Sequence, residues 1–296
     1  MADQRIRSFL EVYETGSFTK AADSLALTQP AVSKHVKSLE DEFGVDLFIR
    51  SHNKLYATPE GNITAKYARK MLQLEHNMKK ELNNSKRQLS RISVGITHTA
   101  ESNASAEALA SFAMAHAKMK VKIISDTTDK LLGMLKDYRL DLAVIEGRIS
   151  DPGLKSVVLD TDCLVLAVPP EHPMADKPYI TIDELKQERL IIRSRHSGTR
   201  NMFVSSLEAR NMHLDEFTIL MELDNIATIK DLIRRGFGVS VLPRSTCEDE
   251  WKKGKINLLP IEGLGMIREM NLVYRKDWDR PAILSEIAEF YNKHRN

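Results

Sequence analysis

The sequence predicts a chain that is mainly α/β but carries an all-α head, and three observations predict it. The first sixty or so residues hold short amphipathic helical patterns punctuated by glycine, and end in a strand-like hairpin. A long segment with no glycine after Gly61 and no proline after Pro59 follows, with apolar residues at helical spacing. From about residue 90 onward, β-branched runs alternate with helical stretches, the pattern of sheets covered by helices.

With 296 residues, the length suits one large domain or two to three smaller ones. The composition, 42% hydrophobic and 28% charged, supports real cores and excludes a disordered chain. Cys163 and Cys247 cannot build a disulfide framework and suit a reducing cytosol. The start MADQRIRSF lacks an apolar signal region, and no stretch approaches the roughly 18 apolar residues of a membrane helix. The expectation is a cytoplasmic protein with no membrane partner. The net charge of +2 by itself says nothing about nucleic acid. Its distribution says more: residues 1–90 hold 14 Lys and Arg against 11 Asp and Glu, and the remainder 29 against 30. A modestly basic head on a near-neutral body suits a specific duplex binder better than a non-specific coat.

Residues 4–15 form the first helix, with Ile6, Phe9, Leu10 and Tyr13 on one face and Gly16 closing it. Phe18, Ala22 and Leu25 pack with them, and the small Ala21 and Ala22 let crossed helices approach closely. In LALTQP, residues 25–30, the second helix ends at Leu25, Thr28 is an N-cap residue and Pro30 occupies the next helix's first turn. That third helix carries Val32, Val36, Leu39 and Phe43 as one buried stripe, and Gly44 ends it. Gln29, Ser33, Lys34 and Lys37 lie on the opposite face. This is a helix-turn-helix layout, whose second helix enters a major groove amino end first. Taken alone, the two helices fit an ordinary hairpin with a wetted polar face equally well. Next come two strand-like arms, 47–50 and 54–58, around the turn Ser51-His52-Asn53. Arg50 and Lys54, one on each arm, suit a wing lying against phosphates.

From Pro59 to about Leu89, apolar Tyr67, Met71, Leu74, Met78 and Leu82 recur at spacings of four, three, four and four. A helix of this length reaches roughly 40 Å. A narrow apolar seam on it calls for a partner helix, unless the helix lies on its own domain. Residues 86–90 read as a hinge. Strands are then expected at 91–96, 121–125, 141–145, 163–168, 190–193, 218–221, 239–242 and 270–274, with helices at 103–117, 128–138, 199–211, 225–235 and 282–294. The alternation implies mainly parallel sheets.

Ligands of open α/β sheets sit beyond the carboxyl ends of strands, where helix amino ends offer free N–H groups. Four stretches qualify: Thr97-His98-Thr99, Asp126-Thr127-Thr128, residues 194–200, and Asp224-Asn225. Their hydroxyls and amides, with Arg193, Arg195 and Arg200, suit a small anion, inorganic or carboxylate. Each stretch fits plain helix capping as well. Gly236-Phe237-Gly238 lacks a third glycine and precedes a strand, so it is no dinucleotide fingerprint. The nine histidines are dispersed, with no metal-ligand spacing, and neither cysteine has a CxxC neighbour. Cys163, at the start of a strand, reads as core rather than redox sensor. His98 reads as a binding or structural residue.

The run Phe9-Leu10 … Gly16-Ser17-Phe18-Thr19-Lys20-Ala21-Ala22 … Leu25 … Thr28-Gln29-Pro30-Ala31-Val32-Ser33 … Leu39-Glu40 … Phe43-Gly44-Val45-Asp46-Leu47-Phe48 … Arg50 … Thr58-Pro59-Glu60-Gly61 closely resembles the amino-terminal domain of LysR-type transcriptional regulators. The match is nearly gapless over residues 5–61; Ile49 departs from the family's usual Glu, and Asn62 replaces a frequent acidic residue. The resemblance implies a winged helix-turn-helix domain at 1–58, a linker helix at 59–89 that dimerises antiparallel, and an effector-binding regulatory domain at 90–296. In that last domain, Val94-Gly95-Ile96-Thr97, the run 140–145 and the run 236–243 resemble the type-2 periplasmic-binding-protein architecture. Its two subdomains fall at about 90–161 with 268–296, and at about 162–267.

The function implied is sequence-specific regulation of transcription, modulated by a small anionic effector. Gln29, Ser33 and Lys34, with Pro30 between them, are the base-edge candidates, and Thr19, Thr28, Lys37, Arg50 and Lys54 the phosphate contacts. Thr97, Thr99, Thr127, Ser197, Thr199 and Asn225 carry over as cleft positions, with His98 among them. Thr97-His98-Thr99 is similar to a motif in the family's sulfur-assimilation branch, which names no ligand. The partners implied are double-stranded DNA with a roughly palindromic operator, the effector, and a second copy through the linker helix, assembling into a homotetramer. No cofactor or metal is expected. Two other classes stay open: a solute receptor, which needs a signal peptide, and an enzyme, which needs a catalytic group in the cleft where only unpaired candidates appear.

Overall fold

The computed structural model describes residues 3–51, 54–86, 90–102 and 104–295. The hairpin-turn residues His52 and Asn53 and the middle of the expected hinge, 87–89, lie outside the described residues. The rest divides into two compact units, a head with its long helix and an α/β body.

In the head, local signals place each boundary. Helix α1 (Gln4–Thr15) begins where Asp3 accepts the Arg5 N–H at 2.9 Å and ends at left-handed Gly16 (φ 63°). Helix α2 (Phe18–Leu25) is capped by Ser17 and ends at Ala26, whose φ of 54° is left-handed without the freedom of glycine. Helix α3 (Gln29–Phe43) starts under Thr28, which accepts the Ala31 N–H, and ends at left-handed Gly44. Phe9, Val12, Ala21, Ala22, Val32, Val36 and Leu39 fill the core between them. Phe43 does not join the stripe as expected but is 47% exposed, because the chain reverses at Gly44 and brings Leu47 into the core instead. Leu25 is only half-buried; beyond the Ala26 bend, Leu27 packs on the core in its place.

Strands β1 (Phe48–Ser51) and β2 (Lys54–Ala57) pair antiparallel, with Arg50 opposite Leu55 and Ser51 opposite Lys54. Cross-strand partners share a face, so Arg50 and Lys54 project from opposite faces of the hairpin. Glu40 holds this hairpin to α3 by accepting the Leu47 and Phe48 N–H groups at 2.9 and 3.4 Å. Thr58 then ties the hairpin to α4 (Pro59–Lys86): its hydroxyl donates to the Asp46 carbonyl at 2.7 Å and accepts the Gly61 N–H at 2.9 Å. Ala65 and Ala68 of α4 are buried in the head core, and Arg7–Glu75 and Arg69–Glu14 ion pairs at 2.8 and 3.0 Å hold it along α1. The seam residues Tyr67, Met71, Leu74, Met78 and Leu82 are exposed, and Ile63 extends the same row.

The body comprises β3 (Ser90–Ile96), α5 (Ala104–Ala115), β4 (Met119–Ser125), α6 (Thr128–Lys136), β5 (Leu142–Glu146), β6 (Leu154–Val168), α7 (Ile182–Lys186), β7 (Arg189–Ile192), α8 (Gly198–Glu208), β8 (Thr218–Glu222), α9 (Ile226–Arg234), β9 (Ser240–Pro243), α10 (Glu248–Lys252), β10 (Asn257–Leu259), β11 (Ile267–Arg275) and α11 (Pro281–His294). Among the described residues the large sheet runs β10-β6-β11-β5-β3-β4, with β9 also on β6, and β7 pairs β8 separately.

The expectation of mainly parallel sheets is corrected. β3–β5 and β7–β8 are parallel pairs, whereas β11 runs antiparallel to β5 and β6, and β6 antiparallel to β9 and β10. Two strands cause this. β6 runs nine residues longer than the expected 163–168, and β11 returns along it from Ile267–Cys163 to Arg275–Leu154. The first stretch of β6 is largely exposed and holds only the short apolar run Val157-Val158-Leu159 to announce it. Apolar packing nevertheless forms separate cores on either side of this crossing. Ile92 to Leu159 with Met270 to Tyr291 supply one side, and Leu164 to Met266 the other.

Gly61→Ala tests how α4 is seated. Helix propensity alone makes Ala better than Gly by about 1 kcal/mol. A Cβ there, however, would stand 2.1 Å from the Leu47 carbonyl oxygen. The clash wins, and denaturant unfolding should show a loss of about 2–4 kcal/mol. A stabilised variant would contradict this seating.

Candidate nucleic-acid interface and ligand cleft

Because α3 turns Val32, Val36 and Leu39 inward, its other face carries Gln29, Pro30, Lys34 and Lys37 into solvent, with Ser33 half-buried. A shallow groove of ≈ 580 Å³ runs along these residues. A second, of ≈ 750 Å³, lies between the start of α2 and the wing, lined by Thr19, Gln29, Arg50 and Lys54 together with Tyr56. The two meet at Gln29. Eight of the nine residues expected to contact DNA therefore line one continuous surface. The ninth, Thr28, is exposed and caps α3, which leaves its hydroxyl hydrogen free to donate. Lys37 sits 3.4 Å from Asp41, a solvent-exposed pair that a phosphate can displace at little cost. Tyr56, exposed on the wing, is not among the residues expected from the sequence; its alternation with the half-buried Leu55 is the signal that points to it.

In the body, the ends of four strands converge on a cavity of ≈ 120 Å³. β3 leads into Thr97-His98-Thr99, β4 into Asp126 and Thr127, β5 ends at Glu146, and β7 leads into Arg193. Ser197 at the start of α8, and Asp224 before α9, close it from the second half. The Thr97 hydroxyl donates to Glu146 at 2.8 Å and accepts the Ala100 N–H at 3.1 Å. For Asp126, burial raises the carboxyl's pKa, but the Thr127 N–H and Lys130 outweigh it and hold it below the ordinary value.

Arg193 is the unusual member. It is 3% exposed, and its Nε and Nη1 are buried without a hydrogen-bond acceptor. Its carboxylate neighbour Asp224 is 3.9 Å away and mostly solvated. Burial pushes the guanidinium's pKa below its ordinary value, against the pull of Asp224 and Glu146. The Ser197 hydroxyl, also buried, has no partner either. Unmet buried donors cost free energy, and a ligand that accepts from them recovers it.

The cavity thus gathers Thr97, His98, Thr99, Thr127 and Ser197 as expected from the sequence, but not all the candidates. Thr199 is buried beneath, 3.5 Å from Arg268, and Asn225 is exposed, its carboxamide accepting the Thr228 N–H to cap α9. Arg195 is exposed and Arg200 pairs with Glu222, so only Arg193 of the three arginines lines the cavity. Sequence reasoning misses Glu146, although the rule about carboxyl ends of strands points to it once β5 is placed. Burial raises both thiols, Cys247 to about 11; Cys247 is packed in the core, whereas Cys163, expected there, is only half-buried. Among the described residues, no group of three or more His, Cys, Asp and Glu could hold a metal ion, and no helix is long and apolar enough to cross a membrane.

Residues 4–62 match the family model for bacterial regulatory helix-turn-helix proteins of the lysR family, and residues 85–295 match the LysR substrate binding domain. The chain belongs to the LysR family. Its relatives include the HTH-type transcriptional regulator CysL of Bacillus subtilis, 25% identical over 270 residues and covering 91% of this chain and 89% of that one. The RuBisCO operon transcriptional regulator of Allochromatium vinosum is 29% identical over 274 residues, covering 92% and 89%. Among solved structures, the LysR family regulator CbnR superposes over 100% of both chains at a TM-score of 0.67 and 19% identity. Full-length OxyR of Pseudomonas aeruginosa, in variant form, covers 99% of this chain and 95% of its own at 0.66 and 23%. The fold is therefore a LysR helix-turn-helix head followed by a two-subdomain α/β regulatory domain. This LysR protein is a DNA-binding transcriptional regulator with an effector-binding domain, and the enzyme alternative falls because the relatives are regulators.

Replacing Arg193 by Met should stabilise the ligand-free protein by about 1–3 kcal/mol, since a buried, half-satisfied charge gives way to an apolar side chain. Chemical denaturation measures this. A loss of similar size would show that the attraction of Asp224 outweighs the unmet donors.

Proposed function

We propose that the protein reads a roughly palindromic operator as a dimer, with the amino end of α3 in the major groove of each half-site. The observation that carries this reading is the surface on which Gln29, Ser33 and Lys34 stand exposed or half-exposed at the meeting of two grooves lined by Arg50, Lys54 and Thr19. Gln29, Pro30, Ser33 and Lys34 lie nearest the base edges, and Thr19, Thr28, Lys37, Arg50 and Lys54 hold phosphates. CbnR, solved with its target DNA, shares this fold at a TM-score of 0.68. The exposed row from Ile63 to Leu82 is the dimer seam, packed antiparallel against a second copy, and dimers pair into a tetramer. The working division is 1–58 for the head, 59–89 for the linker and 90–296 for the regulatory domain, the last split at about 161/162 and 267/268. The reading places the protein in the cytoplasm.

The effector is a small molecule with an anionic group, held in the cleft by Arg193, Ser197 and the N–H groups opening α8. Thr97, His98, Thr99 and Thr127 form the opposite wall, and Thr199 and Asn225 support it from outside the lining. Closure of the two halves on the ligand changes how dimers pack, and with it the spacing of the heads and the bend of the DNA. This requires the ligand to bind the two arrangements unequally.

Fluorescence anisotropy with the DNA immediately upstream of its own gene tests the reading. Gln29→Ala or Ser33→Ala should cost about 1–3 kcal/mol on that site and almost nothing on random DNA. Equal losses on both would remove these residues from base contact. Lys54→Ala should weaken both and lower the slope of log K against log salt by about 0.9 for each phosphate the lysine had neutralised. An unchanged slope would take Lys54 off the phosphate.

A further inference from the structure

The cleft presents two charged groups of opposite sign whose hydrogen-bonding capacity is not filled. Arg193 has two buried donor nitrogens without acceptors, and the buried Ser197 hydroxyl beside it is likewise unmet. Glu146, on the first half's wall, has no ion-pair partner among the described residues; its contact is the single hydroxyl hydrogen of Thr97, which cannot saturate two carboxylate oxygens. The other two carboxylates of the lining are accounted for differently. Asp126 is paired with Lys130 at 3.1 Å and with the Thr127 N–H, and Asp224 stands mostly in solvent.

This arrangement discriminates among ligand charges. An inorganic oxyanion or a simple carboxylate satisfies Arg193 and Ser197 but then shares a cavity of ≈ 120 Å³ with the Glu146 charge. Within a cavity of that size like charges repel. A plain amine satisfies Glu146 and is repelled by Arg193 in turn. A ligand bearing both charges meets both. We propose that the cleft takes a small zwitterion of the α-amino-acid type, its carboxylate on Arg193 and Ser197 and its ammonium on Glu146. This rests on the reading of the cleft as the effector site and names the ligand class for it.

Size and lining narrow the class further. The volume, ≈ 120 Å³, lies well below the several hundred Å³ of a typical ligand pocket, which suits a compact molecule. Threonine, serine, histidine and charged side chains form the lining, with no aliphatic or aromatic wall for a bulky apolar side chain. The fit is to glycine, alanine or serine rather than to leucine or phenylalanine.

Isothermal titration of the full-length protein tests this with glycine, L-alanine and L-serine against acetate, propionate, L-lactate, sulfate and phosphate. At least one amino acid should bind about tenfold or more tightly than its counterpart lacking the ammonium. Glu146→Gln, which keeps the side chain's shape, should erase that preference while leaving the counterpart's affinity equal or higher. Arg193→Met should abolish binding of all the probes. Retained DNA binding by both variants shows that they fold. Carboxylates or inorganic anions that bind as tightly as the amino acids, indifferent to Glu146→Gln but lost in Arg193→Met, would overturn the zwitterion and leave the cleft as the effector site. Binding of none of the probes also overturns the zwitterion. Amino-acid binding that survives Arg193→Met would move the ligand elsewhere and overturn the cleft reading itself.

Discussion

Burial of Val32, Val36 and Leu39 against Phe9, Ala21 and Ala22 is the interaction on which the head depends. Fully burying each of the three larger aliphatic side chains is worth roughly 1.5–3 kcal/mol, far more than any surface contact α3 makes. That stripe fixes the rotation of α3 about its axis, and rotation decides which residues are presented. A different set inward would turn Gln29, Ser33 and Lys34 away from the grooves. The Ala26 bend and the Thr28 cap then fix where the helix begins. From α3 the order propagates by hydrogen bonds: Glu40 seats the wing, and Thr58 seats α4 beside it. The elements that hold polar side chains toward solvent are positioned by apolar ones that never touch it.

The body is built on a different constraint. The cores on its two sides share strand β6, whose Leu159 packs in one and Leu164 in the other, and β11 pairs along it. Asp162 and Arg268 are cross-strand partners at that passage, both nearly buried, and Ser245 donates to Asp162 at 2.8 Å. A pair of strands crossing between cores can bend without breaking either core. The cleft opens where side chains of both halves meet. Its unmet buried donors are the kind of local cost that functional sites carry and scaffolds avoid.

Most of the head is legible in the sequence because its signals are local. A cap residue, a left-handed glycine and a 3.6-residue stripe each act within one or two turns, and α1, α2 and α3 end where those signals put them. Phe43 misleads because periodicity reports which face is apolar, not how far the core extends. In the body, most strand positions are readable, though not β10 or the first stretch of β6, while strand directions are not. Direction depends on which strand returns to which edge, and nothing within β6 or β11 encodes the pairing partner. The cleft is half legible for the same reason. Hydroxyl-rich stretches after strands announce Thr97, Thr127 and Ser197, but Asn225 has the same local chemistry and merely caps α9. Glu146 ends a buried strand like many other residues; only convergence of four strand ends gives it a role.

The central claim is that the protein meets DNA through the major groove, presented by the amino end of α3. Dimethyl sulfate protection on the bound operator separates the grooves directly, since guanine N7 lies in the major groove and adenine N3 in the minor. The account predicts guanine N7 protection in two patches, one per half-site. Protection confined to adenine N3, with guanine N7 fully reactive across the site, would contradict it.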